Sequence, residues 1–413
     1  MTTSTEDLTI VDTTLSVSST SWPSIDPDLD CGTRADVTQY QFWCDGVLLV
    51  IIGLGGFVGN LMALVVLSRP KLRDVFHQLL LALACFDILY IICGGVSYTF
   101  RAFQAQSDIY TYLFPHLIYP LSHVAVTGTI FMTLAISIER YLGLCHPMLP
   151  PHSRKAWFYI VPVVVIAFAL NVPKFMEVEL EIETVNGTDI PFLKSSQLRY
   201  NENYVRGYIM WTRLFSTAII PVTMLLFLNT RIIIDLFSSK VQRFGSTKRQ
   251  RREINLCFIL LCIVFVFFIC HACRIFLDVY EFSNVEKIIQ CAPDRPWLPE
   301  AWGQALPYVS HFMMILNSSV NFIVYCLVGH TFRRELCRTL GIRDYMSIPG
   351  AEWSRRTSRS DMVNGNGSTL VSIQPGGSRS LKNGHRSTYY NSPSSSPMNE
   401  GNKQAMINDL TEV

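Results

Sequence analysis

Seven stretches of this chain are long and apolar enough to cross a lipid bilayer: near 45–67, 76–100, 111–143, 156–174, 207–236, 255–280 and 302–328. A hydrocarbon core about 30 Å thick takes roughly 20 residues of helix. Inside it every backbone N–H and C=O must find a partner within the protein, so only helices and closed barrels span. Runs of this length point to helices, and the expected fold is an all-α membrane protein, a seven-transmembrane helix bundle. Only 16% of the residues are charged, against roughly a quarter in soluble domains.

The flanks are different. Residues 1–43 are rich in Ser, Thr and Asp and nearly free of basic residues, and the chain from 345 onward is rich in Ser, Gly, Asn and Arg. Neither can bury enough apolar surface to fold alone. The expected organisation is a disordered acidic tail (1–43), the bundle (44–330), a short interfacial amphipathic helix (331–344) and a disordered tail (345–413). Residues 1–10 lack the basic start and apolar run of a cleavable signal peptide, so the first span is expected to act as its own insertion signal.

Basic residues near the span ends set the orientation. Arg69, Lys71 and Arg73 follow the first span; Arg154 and Lys155 precede the fourth. Lys240, Arg243, Lys248, Arg249, Arg251 and Arg252 lie between the fifth and sixth, and Arg333, Arg334 and Arg338 follow the seventh. The other side holds Asp26, Asp28, Asp30, Asp36, Glu177, Glu179, Glu181 and Glu183. The chain is therefore expected in the plasma membrane with its N-terminus outside and its C-terminus in the cytoplasm. Asn186-Gly187-Thr188 then lies outside and is a glycan acceptor by pattern.

Ionisable and amide groups inside a span cost about 2.5–3.5 kcal/mol each for a charged side chain and mark buried functional sites. Asp87 lies midway along the second span. Asn317, Asn321 and Tyr325 recur every four residues on one face of the seventh, Thr129 and Arg140 share a face of the third, and Asn60 lies deep in the first. A polar column through the bundle would satisfy all of them. Asn60 reads equally well as a hydrogen-bonding strut between helices. Asp87 with Thr129, Asn317 and Asn321 offers one carboxylate and neutral oxygens, a set suited to a small hard cation such as sodium. No other cofactor is indicated, and no Cys or His spacing suggests a further metal site.

Glu139-Arg140-Tyr141 at the inner end of the third span resembles the acidic-Arg-Tyr signature of rhodopsin-like G-protein-coupled receptors. Gly59-Asn60, Leu83-Ala84 with Asp87, and Asn317-Ser318-Ser319-Val320-Asn321 with Tyr325 fall at matching positions, and the resemblance covers about 44–340. It implies that Arg140 is held by Glu139 and by Glu253 at rest and released on activation, and that Ile130, Pro221 and Phe267 form a packing switch below the ligand. The implied partners are a heterotrimeric G protein, receptor kinases and arrestin, with no nucleic acid.

The chain also departs from that pattern. Phe322 replaces the proline of the seventh-span signature. The sixth span reads Cys270-His271-Ala272-Cys273 where Cys-Trp-x-Pro is usual, so any kink there is expected to be smaller or to arise otherwise. Asn229 stands where the fifth span usually has a Tyr. The usual disulfide from the third span to the second outer loop is missing, because neither 105–120 nor 177–206 contains a cysteine. The thiols left outside are Cys31, Cys44 and Cys291. The first and seventh helices are neighbours in that family, which implies Cys291 paired with Cys31 or Cys44, with Cys31 preferred; a local Cys31–Cys44 loop is the alternative.

No lysine in the seventh span is available for a retinal Schiff base, and Ser122 stands where amine receptors carry an aspartate. A peptide fits better, its approach favoured by the acidic outer surface if it is basic. Residues near the outer ends that would line its site are Ser122, His123, Arg213, Arg274, Asp278, Gln304 and His311. Arg274 either pairs with Asp278 one turn away or contacts the ligand. Asn171-Val172-Pro173-Lys174-Phe175-Met176-Glu177-Val178, Asn317-Ser318-Ser319-Val320-Asn321-Phe322, Leu80-Leu81-Ala82-Leu83-Ala84-Cys85-Phe86-Asp87 and Leu67-Ser68-Arg69-Pro70 resemble invertebrate FMRFamide-type neuropeptide receptors. That resemblance implies a short amidated peptide whose Arg would meet Asp278 or the Glu177–Glu183 run.

On the cytoplasmic side, Thr331-Phe332-Arg333-Arg334-Glu335-Leu336-Cys337-Arg338 alternates basic and apolar residues like an interfacial helix, with Cys337 either palmitoylated or a free thiol. Thr411 and Val413 give the chain end the pattern of a PDZ ligand. A receptor for a non-peptide ligand is the alternative reading. A channel would need charged or carbonyl-lined rings, and an enzyme would need paired acids, a nucleophile elbow or a metal motif; the sequence displays none of them.

Overall fold

The computed structural model describes residues 31–105, 107–145, 155–185, 188–237, 248–291 and 297–341. Seven helices have the length and composition to cross a membrane: α1 (Thr38–Leu67), α2 (Val75–Ala102), α3 (Asp108–Cys145), α4 (Trp157–Met176), α5 (Tyr204–Leu236), α6 (Glu253–Ser283) and α7 (Ala301–Val328). α8 (His330–Thr339) follows directly. The protein is a multi-pass membrane protein. The tail residues beyond 341 and the PDZ-like end at Thr411 and Val413 lie outside the described residues, as does Asn186.

The apolar runs place the spans to within a few residues, with one informative difference. α1 begins at Thr38, inside the stretch assigned to the tail. Tyr40, Phe42 and Trp43 are exposed near its start, the aromatic composition that suits a membrane–water interface. Its next turns, Gln41–Leu48, are π-helical, and so are Tyr204–Thr212 and Leu214–Ile219 in α5.

α3 is the central helix, packed against α2, α4, α5 and α6. The apolar window of α3 is 72% buried inside the protein, whereas that of α4 is 17% buried, which puts α4 at the rim. α7 packs between α6 and α1 and also touches α2. The α1–α7 contact depends on Gly56: a Cβ there would sit 2.1 Å from Ser319 Oγ and 2.7 Å from its Cα. Asn60 reinforces the same seam, donating to Gly56 O at 2.9 Å and to Ser318 O at 2.8 Å; it is a strut between helices.

Phe322 has a structural role of its own. With no proline there α7 runs unbroken from Ala301 to Val328, Pro307 being the proline within it. The Phe322 ring packs edge-on against Phe332 of α8 at 5.9 Å, and Tyr325 meets the same ring at 5.5 Å. α8 is further held by its buried Glu335, which pairs with Arg338 at 2.6 Å and with Lys71 of the α1–α2 connection at 3.6 Å.

Between α4 and α5 the chain forms an antiparallel hairpin of β1 (Val178–Val185) and β2 (Thr188–Ser195), with Val178 opposite Ser195 and Val185 opposite Thr188. Glu179, Glu181 and Glu183 alternate with Leu180 and Ile182, so the acids share one face of the strand. The segment after Cys31 is fastened over the α6–α7 connection. Cys31 and Cys291 form a disulfide, Leu298 N donates to Cys31 O at 2.8 Å, and Gly32 has φ +82°, a backbone that favours glycine, with Leu298 O against the position of a Cβ. Cys44 is a free thiol.

Candidate functional site

A chain of buried polar side chains runs from one end of the bundle to the other. At the end bearing α8, Arg140 is only 6% exposed. Its Nε and one terminal nitrogen donate to the two Glu139 oxygens at 2.5 and 2.6 Å, and its other terminal nitrogen donates to Glu253 on α6 at 2.7 Å. The guanidinium also lies 4.8 Å above the Phe76 ring of α2. A buried cation thus has two carboxylates and an aromatic face, and its pair with Glu253 spans from α3 to α6. Such a fork–carboxylate pair is strong when made and costly to leave half made. Tyr141 packs at the edge of the same apolar core.

In the middle of the bundle, Asp87 is wholly buried. Its Oδ1 accepts from Thr129 at 3.2 Å and its Oδ2 from Asn321 at 2.7 Å, linking α2, α3 and α7. Asn317 lines a small cavity with Thr129, Ser318, Tyr90 and His271. The cavity is lined by the hydroxyl and amide groups of Thr129, Ser318 and Asn317, and Asp87 is not among its lining residues. Among the described residues no cluster of three His, Cys, Asp or Glu side chains forms a metal site of the transition-metal kind. Asn229, the residue that stands in for a tyrosine, donates to Ser137 at 3.3 Å and so ties α5 to α3. Tyr325 is buried with its hydroxyl unpartnered.

Above this layer, Ile130, Pro221 and Phe267 are all buried, and Ile130 and Phe267 belong to one apolar cluster. His271, one turn above Phe267, stacks on its ring at 3.9 Å. Its Nδ1 lies 3.0 Å from Phe267 O, while its Nε2 is buried without a partner. His271 lines both the small cavity and the large cleft above it, so it joins the floor of the cleft to the packing below. The sequence alone marks this position only by the absence of the usual tryptophan.

The cleft opens at the hairpin end; its open space, with the solvent at its mouth included, is about 890 Å³. Of the residues expected to line it, Ser122, His123, Arg213, Arg274, Asp278 and His311 do. Gln304 does not. Its amide holds the strap after Cys31, accepting from Ala35 N at 3.1 Å and donating to Thr33 O at 2.8 Å, because the first turn of α7 faces that segment rather than the cleft. Asp278 sits between two arginines, with Arg213 Nε at 3.0 Å and Arg274 Nε at 3.1 Å. These contacts are close enough for charge pairing but not aligned as hydrogen bonds at Arg213 Nε or Asp278 Oδ1. Arg213 reaches Glu281 as well.

The geometry alters two expectations about charge. Asp278 is already charge-paired through its Oδ1 with both Arg213 and Arg274. The Glu177–Glu183 run is not one acidic strip: Glu177 is buried, while Glu179, Glu181 and Glu183 are exposed on the hairpin. Sequence reasoning missed Glu281, Lys174 and the pair of Asp45 with His311, whose Nδ1 lies 3.1 Å from the Asp45 carboxylate while its ring stacks on Tyr98 at 3.9 Å. Asp45 had a signal, being a lone acid inside the first apolar run.

A family model described as 7 transmembrane receptor (rhodopsin family) matches residues 59–325. The chain is similar to the FMRFamide receptor of Drosophila melanogaster, 31% identical over 312 residues that cover 72% of this chain and 53% of that receptor. It is also similar to the FMRFamide peptide receptor frpr-18 of Caenorhabditis elegans, at 24% over 70% of this chain and 67% of the relative. The B1 bradykinin receptor of Canis lupus familiaris is 25% identical over 75% of this chain and 85% of the relative. The match with the fly protein spans about half of that protein's length.

Proposed function

The chain belongs to the rhodopsin family of seven-transmembrane receptors, and on that footing we propose that it binds a short amidated neuropeptide of the FMRFamide kind outside the cell and activates heterotrimeric G proteins inside. The observation that carries this reading is the stacked arrangement: a cleft floored by His271, the Phe267–Ile130 packing beneath it, the Asp87 layer, and then Arg140 bridged to Glu253. A ligand that pushes on the floor can bias the packing below, and α6 is then free to part from α3. Only interactions that differ between the two states shift the balance, and the Arg140–Glu253 bridge exists in one of them.

The peptide class is supported by the similarity to the FMRFamide receptors and by the exposed acids of the hairpin. Since Asp278 is already charge-paired with two arginines, the ligand's own arginine would meet Glu179 or Glu183 of the hairpin. In this reading the hairpin side faces outward and α8 lies at the cytoplasmic surface, where receptor kinases, arrestin and a PDZ protein at Thr411–Val413 would act. Asp87, Thr129, Asn317 and Asn321 would hold a sodium ion that supports the resting packing. The test is a screen of amidated peptides, FMRFamide first, on cells expressing the chain, read by calcium and cyclic AMP. Responses to Arg-Phe-amide peptides and not to their free acids support the reading; an ion current without any second-messenger response contradicts it.

A further inference from the structure

No cysteine lies in 105–120 or 177–206, so no disulfide can fasten the hairpin to the neighbouring end of α3. A single carboxylate makes the connection instead. Glu177, between α4 and β1, is 1% exposed. Its Oε2 accepts from the Tyr119 hydroxyl of α3 at 2.5 Å. Its Oε1 accepts from the Tyr204 hydroxyl of α5 at 2.6 Å and from Lys174 Nζ of α4 at 2.6 Å. Three helices therefore converge on one side chain at the root of the hairpin. The far strand closes on the same root, where Ser196 N donates to Glu177 O at 3.0 Å and Ser196 Oγ donates to Met176 O at 2.6 Å. A carboxylate this buried is tolerated only when its oxygens are filled by donors and a counter-charge, and Glu177 has both.

The counter-charge has a second face. Lys174 lines the cleft, with its ammonium 5.5 Å above the Tyr208 ring. An ammonium has three donors, and Glu177 takes one. Held by Glu177, Lys174 presents its remaining donors to a cleft that Arg274 also lines. We propose that Glu177 is the clasp that tethers the hairpin to α3, α4 and α5 in place of a covalent link, and that by fixing Lys174 it makes that ammonium a ligand contact for a carbonyl or carboxylate oxygen of the peptide. The second half rests on the receptor reading above; the first does not. Glu177 is thus a positioning residue, and Lys174 is the residue it positions.

The test separates the halves. Full-length protein in nanodiscs is acetylated with an amine-reactive ester and the lysines are followed by mass spectrometry. Lys194, whose side chain is 51% exposed, is the internal reference. Lys174 is expected to react roughly tenfold more slowly than Lys194, a difference of about 1.4 kcal/mol, with or without dithiothreitol. Glu177→Gln is expected to remove most of that protection and Glu177→Asp to return part of it. Should Glu177→Gln not fold, Tyr119→Phe with Tyr204→Phe keeps the carboxylate and removes two of its donors, and intermediate reactivity is expected. A reactive Lys174 in the unaltered protein, protection that dithiothreitol abolishes, or protection unchanged by these substitutions overturns the clasp. For the ligand half, FMRFamide is the probe: Lys174→Gln is expected to raise its half-effective concentration about tenfold with the maximal response retained. A response identical to the unaltered protein overturns the contact. If the unaltered protein ignores FMRFamide, the receptor reading fails while the labelling still decides the clasp.

Discussion

Removing the α6 end of the Arg140 bridge should make the protein signal without ligand. Glu253 accepts one charge-assisted hydrogen bond, at 2.7 Å, and such bonds contribute about 1.5–3 kcal/mol when desolvated. The Glu253 side chain is 34% exposed, so screening trims this to about 1–2 kcal/mol. Arg140 keeps its fork on Glu139 in the Glu253→Ala variant, so the cation is not orphaned and the loss falls on the α3–α6 link alone. One to two kcal/mol is a factor of about 5–30 in an equilibrium. If the active state is about 1% populated at rest, it should rise to roughly 5–25%. The assay is agonist-free guanine-nucleotide exchange in membranes, normalised to receptor at the cell surface. Basal exchange equal to that of the unaltered protein, at equal surface level, would refute the idea that this bridge restrains the resting state.

Other consequences are as direct. Gly56→Val places three carbons where Ser319 already stands, an overpacking of about 1–3 kcal/mol, and should lower the thermal midpoint of detergent-solubilised protein by several degrees. Cys291→Ser releases the strap that follows Cys31 and should weaken agonist potency about tenfold while agonist-free exchange is unchanged; unaltered potency would show that the strap does not shape the cleft. Burial alone would raise the Glu177 carboxyl, but Lys174, Tyr119 and Tyr204 outweigh it and hold it below the ordinary 4.5. A carboxyl held low in the folded state stabilises fully above its unfolded pKa and loses that contribution as pH falls through the folded value. Thermal midpoints measured downward from pH 5 should therefore fall more steeply for the unaltered protein than for Glu177→Gln.

What the sequence disclosed follows from the physics of lipid. Apolar runs near the bilayer length are hard to misread, and Asp87, Arg140, Asn317 and Asn321 stood out because polar side chains are rare there. The Arg140 neighbours came from resemblance alone, since nothing local links Glu253 to a residue 113 positions away. The hairpin is legible but masked by charge: Glu179, Glu181 and Glu183 alternate with Leu180 and Ile182, the period of a strand, while the density of acids suggests an acidic surface. Glu177 is in the same run and has the opposite fate, buried by tyrosines that α3 and α5 bring to it. Only the packing of three helices distinguishes it from its neighbours. Gln304 failed in the reverse direction, since proximity to the outer end of a span does not say which side of the helix turns inward.

The measurement closest to the central claim is peptide-driven guanine-nucleotide exchange on purified G protein by the reconstituted chain, with Arg140→Ala as its partner. The account predicts that an amidated peptide accelerates exchange by the unaltered protein and that Arg140→Ala, delivered to membranes in similar amount, still binds peptide but fails to accelerate it. Undiminished exchange by Arg140→Ala would contradict the account.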